Sequence, residues 1–416
     1  MLDILYSLPA RLDRVRAAPL VDERERYLQL CADRGHNLKA LRKISWLLFL
    51  AVTHVPLNRR NIDSRTIKQA AERQRVHIQR TTRGRRCASS RRIFIGTATR
   101  FFRFIGRLAP PASRRVPLES RVKVYQDFLR MERGWSTVTI EANCRYVRQF
   151  LLSVRPQPTS LRTITIKHID RYLIAQSRKT KSWSRRSITT LAWYLRCFFR
   201  FAEAQHWCST GIAAAIISPR RYALEGVPRS PSWEQVERLV ARMTGDQPAQ
   251  IRDLAIVLLL AVYGLRRGEV AALKLDDIDW EARRLRVYRS KQRRFQSFPL
   301  VRPVGDAIIR YLREVRTQCA HREVFLAMKP PVRALSASSI SILARRRLHA
   351  VNVTLPRVGA HCLRHACARH LLAHGFSLKE IGDQLGHRST SATSIYAKVD
   401  LAGLRQVAEL DLGRLL

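Results

Sequence analysis

His361-Cys362-Leu363-Arg364-His365 opens the stretch that decides this chain, and Leu371-Leu372-Ala373-His374-Gly375, Leu385-Gly386-His387-Arg388 and Ile395-Tyr396-Ala397-Lys398-Val399 continue it. Tyr396 stands nine positions after His387. Two further cations lie upstream: Arg266 in Tyr263-Gly264-Leu265-Arg266-Arg267-Gly268-Glu269, and Lys291 in a polar tract between two strand-like segments. Together, Arg266, Lys291, His361, Arg364, His387 and Tyr396 are a kit for attack on a phosphodiester. The pentacoordinate transition state gathers negative charge on two non-bridging oxygens, and two permanently protonated guanidiniums can bind both. A phenol, with a free pKa of about 10, becomes a useful nucleophile once neighbouring cations favour its phenolate. A lysine ammonium can protonate the departing 5′ oxygen, a task unsuited to arginine, which effectively never deprotonates. Imidazoles can shuttle protons or hydrogen-bond the phosphate. A covalent phosphotyrosine conserves the bond energy, so rejoining needs no ATP, metal or cofactor, and the chain contains no Walker-type glycine-rich loop.

Each piece has a plainer reading on its own. Arg266 could be a surface cation, Lys291 a solvated hairpin lysine, and Tyr396 a half-buried aromatic beside Ile395 and Val399. Lys291 is the only lysine between Lys274 and Lys329 in an arginine-dominated chain, which hints at lysine chemistry. The pairs His361/His365 and His370/His374 have the helical spacing of metal ligands. There is no His-Glu-x-x-His and no nearby carboxylate partner, so no metal is expected.

The assembly is more specific than its parts. It closely resembles the phage-integrase (tyrosine recombinase) family, whose C-terminal signature is H-x-L-R-H, a helix ending near Gly, L-G-H, and a Tyr nine residues after that His. Gly264-Leu265-Arg266 with Glu269 looks like the family's first arginine box, and Lys291 sits where its hairpin lysine should. The resemblance implies Arg266 and Arg364 as phosphate clamps, Lys291 as general acid, His361 and His387 as proton-transfer or phosphate-binding groups, and Tyr396 as nucleophile. It places Glu269 and His365 in support, the first orienting an arginine and the second behind the site. None of the six catalytic positions departs from the pattern. The resemblance is full over residues 232–416, looser over 117–215 and weak before that. It also implies a clamp of core-binding and catalytic domains around the duplex.

The rest of the chain is organised around that segment. The expected fold is mainly α, multi-domain, with a small antiparallel β-sheet in the catalytic domain. Residues 1–115 read as a basic helical extension, with Leu28, Cys31 and Leu38 as an apolar face and 83–92 as a basic loop. In 93–107, apolar Ile93, Phe94, Phe101, Phe102 and Phe104 alternate with Arg100, Arg103 and Arg107. Such a helix is either buried on one side and facing phosphate on the other, or simply solvated over ordinary core. Residues 117–215 read as a helical core-binding domain. Val124, Phe128 and Met131 mark one apolar face, Gly134 a break, Ser136 an N-cap, and Ile140, Val147 and Phe150 a second face. Ile169, Leu173 and Ile174 mark a third helix, and Ile188, Leu191, Leu195 and Phe198 a fourth. Arg145 and the loop 178–186, with Lys179, Lys181, Arg185, Arg186 and an embedded Trp183, are candidate contacts to the DNA backbone; a solvated loop is the alternative. Residues 216–231 form a proline-punctuated linker. Ser232 then caps a helix with Glu234 and Glu237 in its first turns. Residues 254–262 read as a buried helix, 280–287 and 295–300 as two strands, and 306 onward as helical. Leu401, Leu404, Val407 and Leu410 make the C-terminus amphipathic, either docking on a neighbouring protomer or packing on its own domain.

The bulk numbers point the same way. Lys+Arg is 77 against 32 Asp+Glu over 416 residues, a net charge of +45. Such a field seeks a polyanion, and nucleic acid comes before an anionic membrane. The apolar runs at 46–52 and 254–262 are too short to span a bilayer. The N-terminus lacks the basic and apolar regions of a signal peptide, and eight scattered cysteines without a CxxC pair read as reduced thiols of a cytoplasmic protein. The expected partners are double-stranded DNA and either further copies, as a tetramer on paired sites, or partner recombinases, with association to the nucleoid and no membrane. The expected activity is site-specific breaking and rejoining of DNA, with integration or transposition of a mobile element preferred. A non-catalytic DNA-binding protein and a type IB topoisomerase are the alternatives at this stage.

Overall fold

The computed structural model describes residues 1–58, 61–81, 87–110, 116–178, 184–220, 229–290, 292–356, 358–387 and 393–396. By their contacts the residues divide into two compact units: Met1–Pro56, Thr81–Phe104 and Gly226–Leu416 in one, Leu57–Arg80 and Ile105–Glu225 in the other. The sequence reading draws one extension over 1–115. The described residues of 57–80 and 105–110 group instead with the central helices. A parallel bridge pins part of this arrangement, with the Ile62 amide donating to Arg107 O and the Ala109 amide to Ile62 O.

The N-terminal helices are α1 (Leu2–Leu5), α2 (Pro9–Arg16), α3 (Val21–Asp33), α4 (Leu38–His54), α5 (Ser64–Thr81) and α6 (Cys87–Phe104). Leu28 and Cys31 are buried on α3, but Leu38 is half exposed at the start of α4. The chain breaks at Gly35, which has φ +84°, and Asn37 caps the next helix by accepting from the Ala40 amide. α6 starts at Cys87, so the expected basic loop ends there rather than at residue 92. On its far end Phe94, Phe101 and Phe102 are fully buried.

The central helices are α7 (Glu119–Met131), α8 (Thr137–Ser153), α9 (Ile166–Arg178), α10 (Arg185–Ala204) and α11 (Ile212–Ala215). Ser136 caps α8 as expected, and Ile140, Val147, Phe150, Ile188, Leu191, Leu195 and Phe198 build the core. On α7 the face is different. Val122, Tyr125 and Leu129 are buried, while Val124 and Met131 are exposed. Both triplets have helical spacing, so periodicity alone did not choose between them. The buried face is the one that carries Tyr125, which packs edge-on against Phe198. Ile174 is likewise exposed. Ile216 is buried in this core, and Arg196 bonds Ile216 O and Ser218 Oγ, so the first residues of the expected linker belong to the bundle.

The catalytic region holds α12 (Trp233–Ala241), α13 (Pro248–Val262), α14 (Arg267–Ala272), β1 (Ile278–Asp279), β2 (Arg284–Arg289), β3 (Arg294–Pro299), α15 (Arg302–Glu314), α16 (Ala337–Ala350), α17 (Ala360–Ala373) and α18 (Leu378–Leu385). Ser232 closes a capping box with Gln235 at the head of α12. From Leu254 to Val262, α13 is apolar all round, the signature of a helix with neighbours on every side. α12, α14, α15, α16 and α17 all pack on it. The antiparallel sheet has the order β1-β2-β3, with Leu285 opposite Phe298 and Arg289 opposite Arg294. The expected strand 280–287 is shorter and has a partner that the sequence did not reveal. Asp279 accepts from the Ala282 amide and turns the chain after β1, which leaves Trp280 in the turn despite its β-propensity.

Candidate active site

The end of α18 organises the site. The last turn of a helix leaves carbonyls without intrahelical partners, at the negative end of its dipole. Here five consecutive carbonyls are all taken by side chains. Asp383 O accepts from Gln296, Gln384 O from Arg289, Leu385 O from Arg364, Gly386 O from Arg266 and His387 O from Gln292, at 2.8–3.2 Å. Three guanidiniums therefore converge on one helix terminus, which offsets part of their mutual repulsion.

Glu269 supplies the remaining compensation. Its Oε1 accepts from Arg266 Nη1 at 2.8 Å and its Oε2 from Arg289 Nη1 at 2.6 Å, and Oε2 also accepts from the Arg266 amide. The last contact belongs to the capping box of α14. One buried carboxylate thus fixes two arginines. Arg364 completes the set by donating to Gly264 O at 2.6 Å. Gly264 has φ +59°, and a Cβ there would lie 2.4 Å from Leu385 Cδ2. Gly386, with φ +63°, packs so closely on Arg289 that a Cβ would lie 2.8 Å from its Nε. Burial, and then the Arg266 charge, push the Arg364 pKa down to about 10.

Tyr396 is buried in a small apolar cluster with Cys367, Ala368, Ile381 and Leu385. Its hydroxyl meets His365 Nδ1 at 2.8 Å. Burial raises the phenol to about 12, and Arg364 and Arg266 pull against that shift. His387 Nδ1 pairs with the Thr393 hydroxyl at 2.7 Å, and its ring centroid lies 6.4 Å from that of Tyr396. Thr393 is itself buried over Gly382, where a Cβ would come within 2.9 Å of its Oγ1. His365 and His387 are both pushed down to about 4, chiefly by burial. For His365 the next contributors are His361 and then Arg364; for His387 they are Arg364 and then Arg266.

The structure thus brings Arg266, Arg364, His387, Tyr396, Glu269 and His365 together. His361 lies at the exposed start of α17, its ring centroid 6.3 Å from that of His365. His365, expected in support behind the site, lies one helical turn after His361 and its Nδ1 meets the tyrosine oxygen. Lys291 lies outside the described residues, as do Lys179, Lys181, Trp183, residues 221–228 of the linker and the C-terminal tail with Leu401, Leu404, Val407 and Leu410. Arg145, Arg185 and Arg186 are exposed on α8 and α10. The last two form the first turn of α10, capped by Ser184, rather than a loop.

Sequence reading missed Arg289, Thr393 and the glutamines. Arg289 had a readable signal. In β2 the inward positions alternate as Leu285, Val287 and Arg289, so a charge falls where the strand pattern demands burial. Thr393 and Gln296 carry no comparable mark.

Comparison with known proteins agrees. Residues 232–402 match the phage integrase family and residues 122–206 the N-terminal SAM-like domain of phage integrases. A Sinorhizobium fredii protein described as an integrase/recombinase, y4rA, is 38% identical over 293 residues, covering 70% of each chain. A second from the same organism, y4rF, is 29% identical over 98% of this chain and 95% of its own. Among solved structures, the XerH site-specific recombinase bound to its palindromic difH substrate aligns over 88% of this chain and 96% of its own, with a TM-score of 0.54 at 16% identity, a likeness of fold. The chain belongs to the phage integrase family and is a tyrosine site-specific recombinase.

Proposed function

We propose that the enzyme cuts double-stranded DNA by attack of Tyr396 on the scissile phosphate, leaving a 3′-phosphotyrosine and a free 5′ hydroxyl, and rejoins it by the reverse step. The observation that carries this reading is the convergence of Arg266 and Arg364 on the end of α18 beside the buried Tyr396. Fixed cations that keep their protons at neutral pH stabilise the charge of a pentacoordinate phosphorus without reorganising. Arg266 and Arg364 are the clamp, His387 and His361 attend the phosphate and its protons, and Lys291 protonates the leaving oxygen. Glu269 orients Arg266.

In this reading the central helices and the C-terminal region each contact the duplex. Arg145, Lys179, Lys181, Arg185 and Arg186 contact the phosphate backbone. The basic N-terminal residues suit a mobile element's recombinase. Cleavage is shared among copies, as a tetramer on paired sites, or with a partner recombinase, and the protein works at the nucleoid. The test is to incubate the full chain with sheared DNA of its host, denature, and recover the fragments that stay attached. Wild type should yield adducts enriched in one sequence, and Tyr396→Phe none. Adducts absent from both, or present in both, overturn the proposal. Adducts spread evenly over all sequences would point to topoisomerase behaviour instead.

A further inference from the structure

Two imidazoles lie beside Tyr396, with His361 one helical turn before the first of them, and the proposed function does not say which of the three receives the phenol's proton. They differ in reach. His365 Nδ1 stands 2.8 Å from the hydroxyl. His387 has its Nδ1 engaged by Thr393, and His361 lies at the exposed start of α17. We propose that His365 is a catalytic residue: its Nδ1 takes the Tyr396 proton as the phenol oxygen attacks phosphorus. The inference rests on the reading of Tyr396 as nucleophile.

The geometry constrains the step. For Nδ1 to accept, the ring must be neutral with its proton on Nε2. Burial and the neighbouring His361 and Arg364 keep it neutral, down to about pH 4. The same burial raises the phenol to about 12, so free transfer in the empty site is unfavourable. Transfer therefore accompanies attack. As the Oη–P bond forms, the phenol oxygen loses basicity to phosphorus, and the phosphate's negative charge beside the ring favours the imidazolium. The balance is complete. The Oη–H bond breaks and its proton passes to Nδ1, the Oη–P bond forms, and the P–O5′ bond breaks, with O5′ protonated by the general acid. In rejoining, the 5′ hydroxyl returns its proton to the deprotonated general acid as its oxygen attacks phosphorus, the Oη–P bond breaks, and Oη leaves with the proton that Nδ1 returns. Arg364 precedes His365 by one residue, so one turn of α17 sets both the phosphate clamp and the proton acceptor.

The test uses the full chain and a nicked suicide duplex built from the sequence recovered with the adducts. A second duplex carries sulfur in place of the bridging 5′ oxygen, a leaving group that needs no general acid. His365→Asn offers a hydrogen-bond acceptor near Nδ1 but cannot take a proton. It should slow single-turnover cleavage by about 100-fold on both duplexes, with DNA affinity and melting temperature little changed. A 3-fluorotyrosine at position 396, being a stronger acid, should restore about tenfold of that loss. Where the asparagine variant melts early, His365→Gln replaces it. Wild-type rates in these variants would reduce the contact to positioning and overturn the proposal. Rescue by sulfur alone would place His365 on the leaving-group side and also overturn it. If wild type forms adducts while the His365 variants cleave normally, only this inference fails. If wild type forms none, the reading of Tyr396 fails with it.

Discussion

In the catalytic region Arg266, Arg289 and Arg364 are each tied to protein groups by two or three hydrogen bonds, and Arg289 has no exposed surface. On the central helices Arg145 and Arg186 stand exposed, Arg145 lying over the Tyr146 ring at 5.2 Å. The same residue type is used in two ways. A buried guanidinium is costly unless its hydrogen bonds are met, and once met it cannot move. Such fixed charges suit a transition state, where geometry matters. An exposed arginine costs nothing to keep in water and adapts to whatever phosphate arrives, so it suits sequence-independent affinity.

The largest expected effect lies at Arg364. Arg364→Lys keeps the charge but loses the fork that reaches both Gly264 O and Leu385 O. Cleavage should fall by about 10²–10³, while affinity for the same duplex changes far less. A parallel loss of affinity would mean that this arginine serves binding like those of the bundle. Arg289 sharpens the contrast from the stability side, since it lies wholly inside. Arg289→Met takes this donor from Gln384 O and Gln296 Oε1 and the ion pair from Glu269 Oε2, which keeps only the Arg266 amide. Removing one partner of a buried pair costs about 3–5 kcal/mol, and the low end is expected because Glu269 keeps Arg266. Urea unfolding of the catalytic region should show it, and Glu269→Gln in the same chain should recover part of the loss. An unchanged unfolding curve would mean that the network carries no stability.

The two regions also differ in how far the sequence discloses them. The proposed catalytic residues follow one another in motifs that local spacing makes visible, so Arg266, Arg364, His387 and Tyr396 can be picked out without coordinates. What joins them is not. The Arg289–Glu269 pair spans 20 residues, and the carbonyls of α18 meet donors 21 to 120 residues away. Carbonyls have no sequence signature, and a histidine beside a tyrosine in space looks the same in sequence as one behind it. In the bundle, apolar spacing locates the helices, yet α7 turned a different face inward because two spacings fitted equally well.

The imidazoles extend the contrast to pH. His365 and His387 have folded-state pKa values of about 4 against 6.5 unfolded, so the unfolded chain binds more protons as pH falls through that window. Their neutral forms therefore favour folding fully above pH 6.5, and that advantage fades towards pH 4. At pH 5 the loss should be on the order of 1 kcal/mol per imidazole after allowing for partial exposure. Melts of DNA-free wild type and His365→Asn, compared at pH 7.5 and pH 5, should show a smaller acid drop in the variant. Equal drops would mean that His365 titrates normally in the folded protein, in conflict with a buried, neutral ring.

The smallest effects belong to the exposed arginines, and they are the ones that separate affinity from chemistry. Each phosphate contact releases counterions, so removing one should lower the slope of log affinity against log salt by about 0.9. Arg145→Ala and Arg186→Ala should each show that change with any duplex, cognate or not. At saturating protein and low salt their single-turnover cleavage should match wild type, because neither side chain belongs to the α18 network. A slope that stays put in either variant would remove that residue from the DNA face. A cleavage defect that survives saturation would be more telling still, since an exposed cation of the bundle would then be shaping the transition state, and the division between fixed and adaptable charge would not follow burial.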